Sequence, residues 1–116
     1  METSKLTGAA LDWAVAKCEG LLKEENGNLE IFNRELKAHP SSLGTVYAPS
    51  KDWSQGGPII EREKIALREN TDSPEWYACK RWDSHGSFGK TPLIAAMRCY
   101  VASKLGENVE IPEELN

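Results

Sequence analysis

The residues best suited to chemistry lie in one short run, GSFGKTP at positions 86–92, directly before an apolar stretch that extends to Leu105. Backbone N–H groups in the first turn of a helix lack intrahelical partners and carry the positive end of the helix dipole. A phosphate or carboxylate can therefore bind where a glycine loop leads into a helix. This pattern makes Gly89, Lys90 and Thr91 candidate anion-binding residues.

The same three residues match the end of a phosphate-binding P-loop, but the rest of that motif is absent. The first glycine of the motif would fall at position 84, which is a serine. The preceding residues 75–82 alternate in polarity like a half-exposed strand, whereas a P-loop follows a buried apolar strand. We therefore disfavour an NTPase. The plainer interpretation is a turn with Thr91 as helix N-cap and Pro92 at the first helical position.

Polar and aromatic residues in two predicted loops form a broader candidate site, because loops on a rigid scaffold often carry binding groups. Aromatic rings can stack on a planar base, and Arg81 and Lys90 can contact a phosphate. Plainer roles exist too: Trp76 and Trp82 can be core residues, and paired glycines can simply allow a turn. The candidate ligand-binding residues are Trp53, Gln55, Gly56 and Gly57 before a middle helix, and Trp76, Arg81, Trp82, Asp83, His85, Gly89, Lys90 and Thr91 around the last turn.

The sequence gives little support to catalysis. Asp83, Ser84 and His85 are adjacent, and neighbours in sequence rarely converge on one reacting atom as the members of a hydrolase triad do. Glu61 and Glu63 would not face each other on a helix. With two histidines and no Cys-x-x-Cys motif, a zinc site has few ligands. We expect no enzyme activity, no metal and no cofactor.

Length and composition are typical of one small domain. The 116 residues carry a formal charge of −4, which argues against general nucleic-acid binding. Three cysteines, odd in number and set among apolar neighbours, are expected to be reduced. We expect neither a secretion signal nor a membrane anchor. Residues 1–106 are predicted to form the domain, and residues 107–116, which include four glutamates, an acidic tail.

Apolar spacing and turn residues predict a mixture of helices and strands. Residues 65–68 fit either a separate strand or the continuation of a middle helix through Leu67. In chain order we predict a helix over 7–19, a hairpin of 21–24 and 29–33 around Asn26-Gly27, a loop over 34–55 with a short strand at 45–47, a helix over 59–64, a strand over 75–82 and a helix over 92–104.

One buried ion pair is expected. Arg98 lies within the apolar last helix, and a buried guanidinium needs a partner. Asp12, in the apolar first helix, would supply that partner if the two helices pack side by side. We therefore predict a structural Asp12–Arg98 pair.

Three runs of the sequence resemble the NinX family of tailed bacteriophages that infect enteric bacteria: LTGAALDWAVA at 6–16, DWSQGGPIIERE at 52–63 and TPLIAAMRCYVASK at 91–104. The resemblance implies a phage or prophage origin and expression in the cytoplasm of the bacterial host, from a region of accessory early genes. The family has no established activity, so the resemblance implies no catalytic residue.

The order of elements is also similar to that of phage αβα-sandwich domains, with a Ser-x-Asp turn at 50–52 before the middle helix. This second resemblance implies an α+β fold. In such a fold a small antiparallel sheet carries the N-terminal, middle and C-terminal helices packed on it.

Two functions remain open from the sequence. The first is non-catalytic binding of a small anionic or nucleotide-like host ligand, for instance as a sponge that blunts a defence pathway. The second is binding to a host or phage replication, recombination or defence protein, for which the acidic tail and small size are suited. Lys90→Ala with Arg81→Ala should abolish the first, whereas neutralising Glu107 to Glu114 should impair the second.

Overall fold

The computed structural model describes residues 1–25, 28–32, 37–38, 47–80 and 86–115. Short 3-10 helices lie at Thr3–Lys5 and Glu113–Leu115, near the two ends of the chain. Between them the elements are α1 (Gly8–Cys18), β1 (Leu22–Glu25), β2 (Asn28–Phe32), β3 (Lys37–Ala38), α2 (Trp53–Glu63), β4 (Ile65–Glu69), β5 (Trp76–Lys80), β6 (Ser87–Gly89) and α3 (Pro92–Leu105).

The strands of the described residues form two antiparallel sheets, with strand orders β1-β2-β3 and β4-β5-β6. The predicted hairpin is confirmed, since Glu25 pairs with Asn28; the intervening Asn26 and Gly27 lie outside the described residues. In the second sheet, β5 pairs with both neighbours. The predicted α+β fold is confirmed, and α3 packs on this second sheet.

Helix α3 is the centre of the core. It contacts β4, β5, β6, α1 and α2, because most of its side chains are apolar. Its three alanines and one cysteine are small enough to let neighbouring elements approach closely, and Ala95 and Ala96 have no exposed surface. The predicted bounds are confirmed within a residue, with Thr91 as N-cap, Pro92 at the first position and Gly106 at the end.

Helix α2 starts earlier than predicted. Asp52, not the Gly56-Gly57-Pro58 run, is its N-cap, and both glycines lie inside the helix. Gly56 is buried, and a Cβ there would overlap the Pro49 carbonyl oxygen and come within 2.7 Å of Leu93 Cδ2. This glycine therefore serves helix packing rather than a turn.

The end of α2 settles the alternative left open for residues 65–68. Lys64 has a φ of 54°, in the left-handed region that ends a helix, and Ile65 begins strand β4. The separate strand is correct, and the longer helix is wrong. The loop predicted over 34–55 likewise contains β3 and the first residues of α2.

The GSFGKTP run is only partly a turn. Residues Ser87–Gly89 form β6, which pairs with β5 at one edge of the sheet. Gly89 is buried against the first turn of α3, where a Cβ would lie 2.5 Å from Ala95 N. The glycine is needed so that strand and helix backbones can meet.

The two ends of the described chain pair with each other. The Met1 amine donates to Val109 O at 2.9 Å, Val109 N donates to Met1 O at 2.9 Å, and Thr3 N donates to Glu107 O at 2.8 Å. Val109 is buried in the core, and Leu115 packs against it. Glu107, Val109 and Leu115 therefore contact other parts of the described chain, and the domain boundary expected after residue 106 stays a prediction.

Across the described ranges, we find no helix long and apolar enough to span a membrane.

Candidate functional site

The predicted anion site lies at the start of α3, where the helix is capped by its own side chain. Thr91 Oγ1 accepts a hydrogen bond from Ile94 N at 3.1 Å, so the helix caps itself. Gly89 is buried against the first turn of α3, where an added Cβ would lie 2.5 Å from Ala95 N. Lys90 is exposed. The self-capped start of α3 gives the anion-binding interpretation no support.

The predicted residues at the start of α2 have structural partners. Asp52 Oδ1 accepts from Ser54 N at 2.9 Å and from Ser54 Oγ at 2.7 Å, and these bonds lower the pKa of Asp52. Gln55 joins the cap to the preceding loop: its Oε1 accepts from Ala48 N at 2.8 Å and its Nε2 donates to Asp52 Oδ2 at 3.1 Å. A carboxylate already occupies this helix start.

The remaining predicted residues are divided between core and surface. Trp76 is the cross-strand partner of Gly89 and packs against the core, as its plainer interpretation expected. Trp53 is 54% exposed, and Gly57 borders open space. Four predictions stay untested because their residues lie outside the described ranges, namely Arg81, Trp82, Asp83 and His85.

The predicted Asp12–Arg98 ion pair is wrong. Asp12 Oδ1 accepts from Ser50 N at 2.9 Å, which ties α1 to the loop before α2. Arg98 donates from Nε to Leu6 O at 2.9 Å and from Nη1 to Phe88 O at 2.7 Å. Backbone carbonyls therefore supply the partners that the guanidinium needs, and Arg98 braces β6 against α3.

Asp12 is a buried carboxyl group with an unusual environment. Its side chain has no exposed surface, and its Oδ2 has no hydrogen-bond partner in the structure. Burial raises the pKa of Asp12 to about 6, although the hydrogen bond from Ser50 acts in the opposite direction. The group lies between α1 and the 47–50 loop, so it is suited to a structural role.

A charged network joins four elements and satisfies its own hydrogen bonds. Arg62 donates to both carboxylate oxygens of Glu19, at 3.0 and 2.6 Å, and to Glu63 Oε2 at 3.0 Å. Buried Tyr100 donates to Glu19 Oε2 at 2.7 Å, and Lys80 donates to Glu63 Oε1 at 2.9 Å. The bonds from Lys80 and Arg62 lower the pKa of Glu63 to about 2. The network links α1, α2, β5 and α3, and its carboxylate oxygens are all engaged.

The outer face of the β4-β5-β6 sheet, opposite α3, carries aromatic and basic side chains on three adjacent strands. Arg68, Tyr77 and Phe88 are cross-strand neighbours in register. The Arg68 guanidinium carbon lies 4.9 Å from the centre of the Tyr77 ring, within the range of a cation–π contact. The Tyr77 and Phe88 ring centres are 5.1 Å apart at an interplanar angle of 57°. We call these three residues the sheet platform.

Within the platform, Tyr77 is the central side chain and contacts both of the others. Its ring lies where a Cβ on Gly86 would be, so the missing side chain at Gly86 makes room for it. Phe88 is 46% exposed, one of the few large apolar side chains of the described residues that face solvent. Phe88 therefore presents a half-exposed aromatic ring beside Tyr77.

A groove of about 590 Å³ adjoins the platform and extends to the turn between β4 and β5. Its volume is within the range of small-molecule sites. The lining residues are Arg68, Glu69, Asn70, Thr71, Asp72, Tyr77 and Phe88.

Sequence reasoning missed the sheet platform. It selected Trp76 from β5, but side chains alternate along a strand, so Trp76 and Ala78 face the core and Tyr77 faces out. Phe88 was assigned to a turn, although it lies in the middle of β6. The alternation in residues 75–82 was a usable signal for Tyr77, whereas its pairing with Phe88 depended on a strand that the sequence did not reveal.

Taken together, these features define a small α+β protein with an antiparallel sheet, one face of which is covered by a central helix and the other exposed. The sequence model of the family described as Bacteriophage P22, NinX matches residues 2–104. This chain belongs to that family, as the resemblance predicted, and the family indicates a phage accessory protein. No curated protein matched the chain.

Proposed function

We propose that this phage accessory protein binds a planar, nucleotide-like small molecule on the sheet platform without chemically changing it. The observation that carries the proposal is the exposed Phe88 ring, held beside Tyr77 and Arg68 on the outer face of the sheet. The proposal keeps the class of ligand expected from the sequence and moves its position from the helix starts to the sheet.

The chemistry of the platform fits a nucleobase. A base has two flat faces, and stacking of one base on an aromatic side chain contributes about 1–3 kcal/mol to binding. A guanidinium can also stack on a base or contact a phosphate. Phe88 supplies the aromatic surface, and exposed Arg68, which lies on the other side of Tyr77 in register with it, supplies the guanidinium.

The groove beside the platform supports a small ligand. Its 590 Å³ can hold one nucleoside, and its lining includes polar side chains that can contact the edge of a base. The backbone under the platform is anchored to α3, because Arg98 donates a hydrogen bond to the Phe88 carbonyl oxygen and Gly89 lies against the helix. A prepositioned surface loses less conformational entropy on binding.

Phe88→Ala should weaken binding of nucleosides and nucleotides by at least about fivefold, because it removes the stacking surface. A thermal-shift screen of nucleosides, nucleotides, cyclic dinucleotides and ADP-ribose derivatives would identify ligands, since selective binding to the folded state raises the unfolding midpoint. Affinities of the wild-type and variant proteins for each hit would then be measured by calorimetry.

Trp53→Ala is the matched control, because it also removes a highly exposed aromatic ring but from α2. It should leave affinity unchanged, and Phe88→Tyr should retain most of it. Equal losses in the two alanine variants would contradict the proposal. A screen without any shift would also contradict it, and would favour a protein partner, the alternative expected from the sequence.

A further inference from the structure

Strand β4 is an open edge of the β4-β5-β6 sheet. In the described part of the chain, β4 pairs with β5 on one side and with no strand on the other. All of its residues pair with β5 without a bulge, and Ile65–Glu69 contains neither proline nor glycine. A regular edge of this kind is a template for pairing with a further strand.

The register shows which backbone groups β4 presents at this edge. Asn70 N donates to Glu75 O at 3.1 Å, so these two residues form a hydrogen-bonded pair, and such pairs alternate along an antiparallel ladder. Every second residue of β4 therefore bonds β5, and the residues between them direct their N–H and C=O groups outward. The outward residues are Ile65, Leu67 and Glu69.

The opposite edge of the sheet supports this assignment and differs in one respect. By the same alternation, Phe88 is the residue of β6 whose backbone groups point away from β5. Arg98 Nη1 donates to Phe88 O at 2.7 Å, so a side chain of α3 occupies that edge. The structure shows no hydrogen bond from the other described residues to the outward groups of β4.

We infer that β4 pairs with β4 of a second copy of this chain, antiparallel about a twofold axis at Leu67. In this register Leu67 opposes Leu67 of the partner subunit, and Ile65 opposes Glu69 of the partner subunit. All the outward N–H and C=O groups of both strands then have partners, because each opposed pair exchanges two hydrogen bonds. The two sheets become one sheet of six strands, and the twofold symmetry closes the assembly as a dimer.

The side chains of the outer face favour this register over its neighbours. Ala66 lies opposite Arg68 of the partner subunit, so a small side chain faces a long one. A shift of two residues in one direction would place Arg68 opposite Arg68, and like charges directly opposite each other are destabilising; the opposite shift leaves Glu69 beyond the end of the partner strand. The Arg68 guanidinium lies 4.9 Å from the centre of the Tyr77 ring of its own subunit, and so over β5 rather than toward the partner.

Sedimentation velocity of the full chain over a range of micromolar concentrations tests for the dimer, and charges at Ala66 test its register. Ala66→Lys places a cation opposite Arg68 of the partner subunit at two equivalent positions, and should weaken the dimer by about three- to tenfold. Ala66→Glu places a carboxylate there and should strengthen it by a similar factor. Ala66 is exposed, so both variants should fold like the wild-type protein.

Two exposed positions outside β4 supply matched controls. Glu61→Gln changes the net charge as Ala66→Lys does, and Lys90→Gln changes it as Ala66→Glu does. Both should leave the dimer unchanged. Hydrogen exchange of the wild-type protein gives a second readout that needs no variant: the Leu67 amide should become protected as concentration rises, whereas the Phe88 amide, at the other edge, should not.

The outcomes decide the inference without reference to ligand binding on the platform. A protein that stays monomeric at the highest soluble concentration would overturn it and leave the β4 edge for a strand of another protein. A dimer that responds to neither Ala66 variant, or that forms without protection of the Leu67 amide, would also overturn it, because another surface would then join the two copies.

Discussion

Asp12 shows how one residue can make stability depend on pH. Its carboxyl group is buried with one oxygen unpartnered, and its pKa of about 6 lies above the usual value of 3.8. Because the raised pKa belongs to the folded state, that state binds the proton more readily than the unfolded chain does. The Asp12 contribution is therefore most favourable at low pH and is lost as pH rises through about 6.

We expect the free energy of unfolding to rise by about 1 kcal/mol from Asp12 between pH 7 and pH 5. Asp12→Asn should remove that rise, since an amide does not titrate and can still accept from Ser50 N. Urea unfolding at several pH values measures the effect. Glu63, whose lowered pKa acts in the opposite direction below its usual 4.5, does not enter this window.

Asp72→Asn is the control for the Asp12 experiment, because Asp72 is exposed in the β4–β5 turn. It should leave the slope between pH 7 and pH 5 unchanged. An unaltered slope in Asp12→Asn would show that Asp12 does not titrate as the structure indicates.

Whether a residue's position could be predicted depended on how local its signal was. Thr91 and Pro92 were correct because a cap and a first-turn proline act within one helix end. The partners predicted for Asp12 and Arg98 were wrong because each side chain bonds a backbone group instead of the other side chain. Every residue carries the same backbone groups, so the sequence does not indicate which of them will be the partner. Tyr77 and Phe88 were missed as a pair because their contact depends on the register of two strands.

At the scale of elements, the two glycines of α2 have opposite consequences. Gly56 is packed against Pro49 and Leu93, whereas nothing lies within 4 Å of a Cβ placed on Gly57. Both are inside a helix, where alanine is intrinsically more favourable than glycine by about 0.5–1 kcal/mol. Local packing therefore decides the sign of each substitution.

Gly57→Ala should raise the free energy of unfolding by about 0.5–1 kcal/mol, because it gains helix propensity without a clash. Gly56→Ala should lower it by about 1–3 kcal/mol, because the added methyl group overfills the contact between α2 and α3. Denaturant unfolding of the two variants tests the pair. Stabilisation by Gly56→Ala would show that α2 does not approach α3 as closely as described.

The bounds of some elements were predicted more accurately than those of others. Helices α1 and α3 are apolar runs with clear end signals, so the sequence predicted them within about a residue. Gly56-Gly57-Pro58 is typical of a turn, and only the contact with Leu93 makes a helical glycine favourable there. Strand β6 has three residues, each of them at or next to a glycine, and is too short for a periodic pattern.

At the scale of the molecule, α3 covers one face of the β4-β5-β6 sheet and leaves the platform on the other face. The sheet face toward α3, together with α1 and α2, forms the core, and the paired chain ends cover a further part of it. The outer face of the β4-β5-β6 sheet carries the platform of Arg68, Tyr77 and Phe88. Membership of the NinX family fits a small accessory protein, and the platform is the surface on which we propose that a ligand binds.

The most direct test of this proposal is an amide chemical-shift titration of the isotope-labelled protein with adenosine. We predict saturable changes centred on Arg68, Tyr77 and Phe88 and extending to the 69–72 turn, with little change at the start of α3. Changes centred on residues 90–94 would instead restore the helix start as the binding site, and a titration without saturable changes would contradict ligand binding on the platform.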